Sequence, residues 1–253
     1  MESEFWPRLR TLCGADGVSI GTLSVSALAW LWLFGSATRG VQSFCLSGDG
    51  LQWLAAGFDA ASASGLLLTE AWHWILMVIA MMSPLLGPPI RHVIARSYRW
   101  RRRRAIMGFL LGYGAGWAFA GIGAIALLVS LAVSGYTTRP ITGAVALLLA
   151  AAWHFLPIRG VALRLCHRTM ALAPRGWAAD RDCLRYGAVQ GLTCLGSCLP
   201  AMLATMLAFP GVLAPALVAI WLYVERGYQR NYRIVATALL SATALAQMVS
   251  AQF

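Results

Sequence analysis

Lysine is absent from this chain: all 20 basic residues are arginine, set against nine acidic residues and four histidines. Charge of either sign is scarce, at 11% of 253 residues, where a soluble domain carries about 25%. That scarcity excludes an ordinary cytosolic enzyme, and with it a disordered chain, which needs polarity in place of apolar mass. The six cysteines, Cys13, Cys45, Cys166, Cys183, Cys194 and Cys198, lack framework spacing and read as thiols, so a disulfide-dense secreted module is excluded as well. Ser, His and an acidic residue nowhere gather as a triad requires; the chain reads as non-enzymatic. Lysine-free usage rich in Ala, Gly, Arg and Trp fits a GC-rich bacterial genome.

What is present is apolar mass, 59% hydrophobic with mean hydropathy +0.68. The expectation is an all-α polytopic bundle, residues 1–253 forming one integral membrane domain with the lipid bilayer as its solvent. At about 20 residues per span, seven helices fit, near Ile20–Ser36, Trp72–Ile90, Ile106–Ser134, Ile141–Pro157, Tyr186–Phe209, Val212–Val224 and Ile234–Val249. Eighteen of the 20 arginines fall on alternate connections. Arginine-rich short loops stay cytoplasmic, which places the N-terminus inside and the C-terminus outside a bacterial inner membrane. Loops 91–105 and 158–185 are then cytoplasmic and segment 37–71 external, with surface-lying helical pieces. The same rule makes Arg101 to Arg104 a topology anchor or lipid-headgroup contact, with no nucleic acid partner. Glu2, Glu4 and Asp16 ahead of the first apolar run argue against a cleavable signal.

Three further features shape the expectation. Gly108, Gly112, Gly116, Ala120 and Ala124 form a four-spaced small-residue stripe, a close-packing face within lipid. Arg159 to Leu172 has the pattern of a helix lying in the membrane interface. Predicted helix interiors hold no Asp, Glu or Arg, which argues against proton-coupled transport; Glu225 reads as an interfacial ion pair with its neighbour Arg226.

Soft ligands do line up. Cys194, Cys198, Met202 and Met206 recur every four residues on the fifth helix, and a step of four turns a helix by only about 40°. His73, Met77 and Met81, with Met82 adjacent, repeat that spacing on the second helix. The two helices run oppositely, so His73 and Met206 fall near the outer surface, Met77 and Met202 a turn deeper, and Met81 and Cys198 near the middle. Thioether and thiolate favour Cu(I), and imidazole suits copper, zinc or nickel, so the paired stripes would hold a soft metal. Lipid-solvated core packing by Met and Cys is the other reading; His73, between two tryptophans, also fits an aromatic belt, and His154 a helix-end histidine. Pro200 removes the hydrogen bond to the Gly196 carbonyl, which then needs a metal, a water or a side chain.

Trp72 through Met81-Met82-Ser83-Pro84, Gly112-Tyr113 with Trp117, Leu156-Pro157-Ile158-Arg159 leading to Cys166, Cys194-Leu195-Gly196-Ser197-Cys198 and Glu225-Arg226 together resemble a bacterial family of uncharacterised metal-binding integral membrane proteins. The resemblance spans roughly Trp72 to Arg226 and implies a metal at Met81, Met82, Cys194 and Cys198. That family's pattern is Cys-Leu-Gly-Cys-Cys; Ser197 replaces the middle cysteine, which tells against a purely three-thiolate site. Two functions are expected. One is binding or passage of a soft metal, copper first, between the second and fifth helices. The other is a non-catalytic accessory or assembly subunit working with partner membrane subunits. A metal route would run inward from Cys45, Asp49, Asp59 and Glu70, through the ladder, to Cys166, His167 and Cys183.

Overall fold

The computed structural model describes residues 17–38, 60–134, 140–208, 212–228 and 239–243. Among the described residues all regular structure is helical. The elements are α1 (Gly17–Thr38), α2 (Ala60–Met82), a 3-10 turn (Ser83–Leu86), α3 (Gly87–Ala95), α4 (Arg102–Val133), α5 (Pro140–Phe155), α6 (Pro157–Cys166), α7 (Gly176–Ala208) and α8 (Leu213–Tyr228).

Four stretches, Gly17–Thr38, Leu67–Ala95, Arg99–Leu131 and Gly176–Ala208, are long and apolar enough to cross a membrane. A fifth is added if Ile141–Phe155 and Pro157–Cys166 count as one span bent by 70°. The expected sixth helix is 16 residues long, a rise of about 24 Å against a hydrocarbon core of about 30 Å. The expected seventh lies outside the described residues except for 239–243. Cys13, Cys45, Asp49, Asp59 and both termini lie outside them too.

Proline writes the breaks. Pro84 ends α2 in a 3-10 turn, Pro88 and Pro89 restart the helix as α3, and Pro157 opens α6 after an extended Leu156, since a residue before proline is pushed out of the helical region. Inside a helix the missing N–H strands the carbonyl four residues back, and for Pro84 and Pro200 a neighbouring helix covers it. Ser26 Oγ on α1 donates to the Ala80 carbonyl at 2.5 Å. Trp153 Nε1 on α5 donates to the Gly196 carbonyl at 2.9 Å, so of the three partners expected for that oxygen a side chain is the one found.

The small-residue stripe packs inward on the chain's own α7. A Cβ at Gly112 would run into the Leu184 carbonyl, and one at Gly187 into the Phe109 carbonyl. Contacts rise together along both helices, from Gly108 with Cys183 to Gly116 with Gly191 and Leu195, so α4 and α7 are parallel. Arg101 and Arg104 clamp their first turns by pairing with Asp180. Against them α2 runs antiparallel, with Trp74 Nε1 donating to the Trp117 carbonyl at 3.1 Å.

Several boundaries move. The second helix begins at Ala60 rather than Trp72, which puts Glu70 inside a helix and buried. The fifth begins at Gly176, where φ is +76°, ten residues before Tyr186. Its charged first turns had looked like loop, but Arg181 and Arg185 point outward while Asp180 is paired. Loop 158–185 therefore contains α6 and the start of α7. Nor does α6 simply lie on a surface: Arg159 and Cys166 are buried, and Ala162 touches α7 at Gly196.

Candidate metal centre

The site forms where α2, α4, α7 and α8 meet. Met77, Met81, Met82, Cys194, Cys198, Met202 and Met206 all belong to one buried core cluster. Cys194 Sγ donates to Met82 Sδ at 3.5 Å, a turn deeper than the expected pairing of Met81 with Cys198. Tyr113 of α4 reaches between the two helices, its hydroxyl donating to Cys194 Sγ at 3.3 Å. Ser197 Oγ donates to the Cys194 carbonyl at 2.9 Å and shares a hydrogen bond with Cys198 Sγ at 3.2 Å. A donor aimed at sulfur, as Tyr113 is at Cys194, favours the thiolate, the form that binds metal.

His73 is buried at the far end of the stripe. Its Nδ1 lies 2.7 Å from the Thr69 carbonyl, and a carbonyl only accepts, so Nδ1 carries the proton and Nε2 the lone pair. That Nε2 is buried without a partner. The ring packs on Trp32 at 5.5 Å between centroids. His154 is the helix-end residue expected, its Nδ1 on the Ala150 carbonyl at 2.7 Å.

Charge enters from a direction the sequence did not suggest. Glu225 pairs with Arg159 at 2.5 Å, both buried, and not with Arg226; adjacent residues on a helix diverge by about 100°, so the two neighbours could not face each other. Arg226 instead donates to Cys166 Sγ at 2.7 Å and lies within electrostatic range of Cys194, Cys198 and Tyr113. Cys166, His167 and Cys183 do not gather: Cys183 packs on α4 with Phe109 and Tyr186 in a separate core. Desolvation and then the Arg226 charge hold His167 below the usual imidazole range. Tyr113 and Arg226 were visible in the sequence only as part of the resemblance; Gly112, whose close approach carries Tyr113 against α7, was the one physical hint.

Among the described residues no three His, Cys, Asp or Glu side chains converge as a metal cage. The donor set is two thiols and a thioether, with further thioethers above it. Borderline cations would want imidazole or carboxylate here; a soft monovalent ion accepts what is offered.

Residues 71–249 match the model of the PpoB2 family, described as copper chaperone. The match covers well over half of the chain and includes the site from His73 to Arg226; the chain belongs to this family. No curated protein and no solved structure matches it.

Proposed function

We propose that this chain is a multi-pass membrane copper chaperone that carries Cu(I) as cargo on Cys194, Cys198 and Met82. The observation that carries the reading is the Cys194 to Met82 sulfur contact closed inside an apolar core, four residues along the helix from a second thiol. Met77, Met81, Met202, Met206 and His73 Nε2 extend that soft surface towards the other end of α2 and α7. The bilayer is proposed from the outer face: Leu31, Leu111, Phe119, Ile122, Leu149 and Leu217, on four different helices, are all more than 60% exposed, more large apolar side chains than a water-facing surface carries. The protein works by binding and release, without catalysis.

A Cu(I) held by two thiolates carries one net negative charge. Leaving that charge in an apolar core costs several kcal/mol, and Arg226 supplies the counter-charge while Tyr113 supplies a hydrogen bond. The accessory-subunit reading gains no separate support, because the small-residue stripe that suggested it is covered by α7.

Metal analysis of the purified chain tests the proposal. Wild type should retain copper after reductive loading, and Cys194→Ser/Cys198→Ser should lose it. Equal copper in both would overturn the assignment.

A further inference from the structure

We propose that the cavity between the Ser83–Leu86 turn, the end of α6 and the end of α8 is where copper changes hands with a small anionic thiol, and that Cys166 is the sulfur through which it passes. The inference rests on the copper reading above and adds a second station, a route and a partner chemistry.

Two broken helices open this cavity. The α2 break at Pro84 forms one wall, and α6, turned by 70° from α5, brings Cys166 to another. The space is about 230 Å³, lined by Pro84, Pro88, Cys166, His167, Tyr186 and Arg226 among others. Cys166 is 8% exposed at this wall, whereas Cys194 and Cys198 are each 1% exposed. A carrier can reach the first sulfur and not the other two. The volume falls below the roughly 300–1,000 Å³ of pockets that enclose drug-sized ligands, so it admits the cysteine end of a small molecule and no folded domain. Exposed Arg164 and Arg168 lie within three residues of His167 in the chain, and with Arg226, which lines the cavity, they favour a carrier bearing carboxylates.

Arg226 links the stations, since it is hydrogen-bonded to Cys166 and lies within electrostatic range of Cys194 and Cys198. One guanidinium can therefore neutralise the copper thiolate at either place. In the transfer the Cys166 thiol gives up its proton as its sulfur bonds Cu(I), and the departing thiolate of Cys194 or Cys198 takes up a proton as its bond breaks. Copper stays Cu(I), no electron moves, and the proton count is unchanged. The carrier thiol repeats the exchange, its proton passing to Cys166.

The test times copper transfer from the Cu(I)-loaded full chain to glutathione, followed with a chromophoric Cu(I) chelator, for wild type, Cys166→Ser and Cys166→Ala. Both variants should hold the same amount of copper as wild type once loading has reached equilibrium, but transfer it about tenfold more slowly, equivalent to about 1.4 kcal/mol on the barrier. Two replacements are used so that one misfolded variant does not decide the matter, and copper loading itself reports the folded site. Unchanged rates would overturn the handover. So would loss of copper to the level of Cys194→Ser/Cys198→Ser, which would make Cys166 a ligand of the buried site. Wild type without copper would instead remove the underlying reading. Glutathione should also outpace 2-mercaptoethanol; equal rates would overturn the choice of an anionic carrier.

Discussion

The Arg159 side chain is 1% exposed and that of its partner Glu225 5%. Two ions this deep are held by each other, and the Nε and Nη1 donors of Arg159 are buried without partners. Removing one ion of such a pair costs about 3–5 kcal/mol because the other is left unpaired, whereas replacing both by apolar residues is often neutral. Arg159→Met should therefore lower the thermal unfolding midpoint in detergent sharply, and Arg159→Met/Glu225→Leu should recover most of the loss. A double variant as unstable as the single one would show that Arg159 serves more than Glu225. The sequence could announce that both groups exist, but not that they meet, since 66 positions separate them and only the bend before α6 brings them together. The sulfur residues were legible because four-residue spacing fixes a shared face. The one-turn offset between the stripes was not, because it depends on how far α2 slides along α7.

Helices were the most legible elements, and their ends the least. Hydropathy located the long spans but began the second and fifth only after the last charge before them, so the paired or outward-pointing ions that open α7 were read as loop. Prolines were legible for a physical reason: each deletes a donor at a known carbonyl, though which neighbour would cover it was not written locally. The glycine stripe announced close packing without naming its partner. Its consequence can be measured. At Gly112 a methyl meets the Leu184 backbone, and at Gly114 nothing lies within 4 Å. Backbone cannot swing aside as a side chain can, and overpacking costs about 1–3 kcal/mol. Gly114→Ala has only the helix preference of alanine to express, a gain of about 0.5–1 kcal/mol. Thermal unfolding should place Gly112→Ala below wild type and Gly114→Ala at or above it. The reverse order would mean that α4 and α7 are not packed on these glycines.

The parallel clamp of α4 on α7 gives the molecule a sidedness that the arginine partition alone could only suggest. Arg101 and Arg104 bind Asp180, so the first turns of both helices lie at one end. Tyr186, six residues further along α7, lines the cavity with Arg226, a rise of only about 9 Å; the cavity and the basic run share that end. Trp100 and Trp177 stand there 79% and 78% exposed, as tryptophans do at a headgroup boundary. On the proposed membrane reading, the positive-inside rule would put this end in the cytoplasm, the compartment into which the Cys166 cavity would open and where a small anionic thiol would meet it. Trp100→Cys and Trp177→Cys, each made in a Cys13→Ser/Cys45→Ser/Cys166→Ser background, should react with a membrane-impermeant maleimide in inverted vesicles and not in intact cells. Labelling of one from each side would break the parallel pairing and with it the shared end. Labelling of both from outside would keep the bundle but reverse it, and copper would then be handed out of the cell rather than into it.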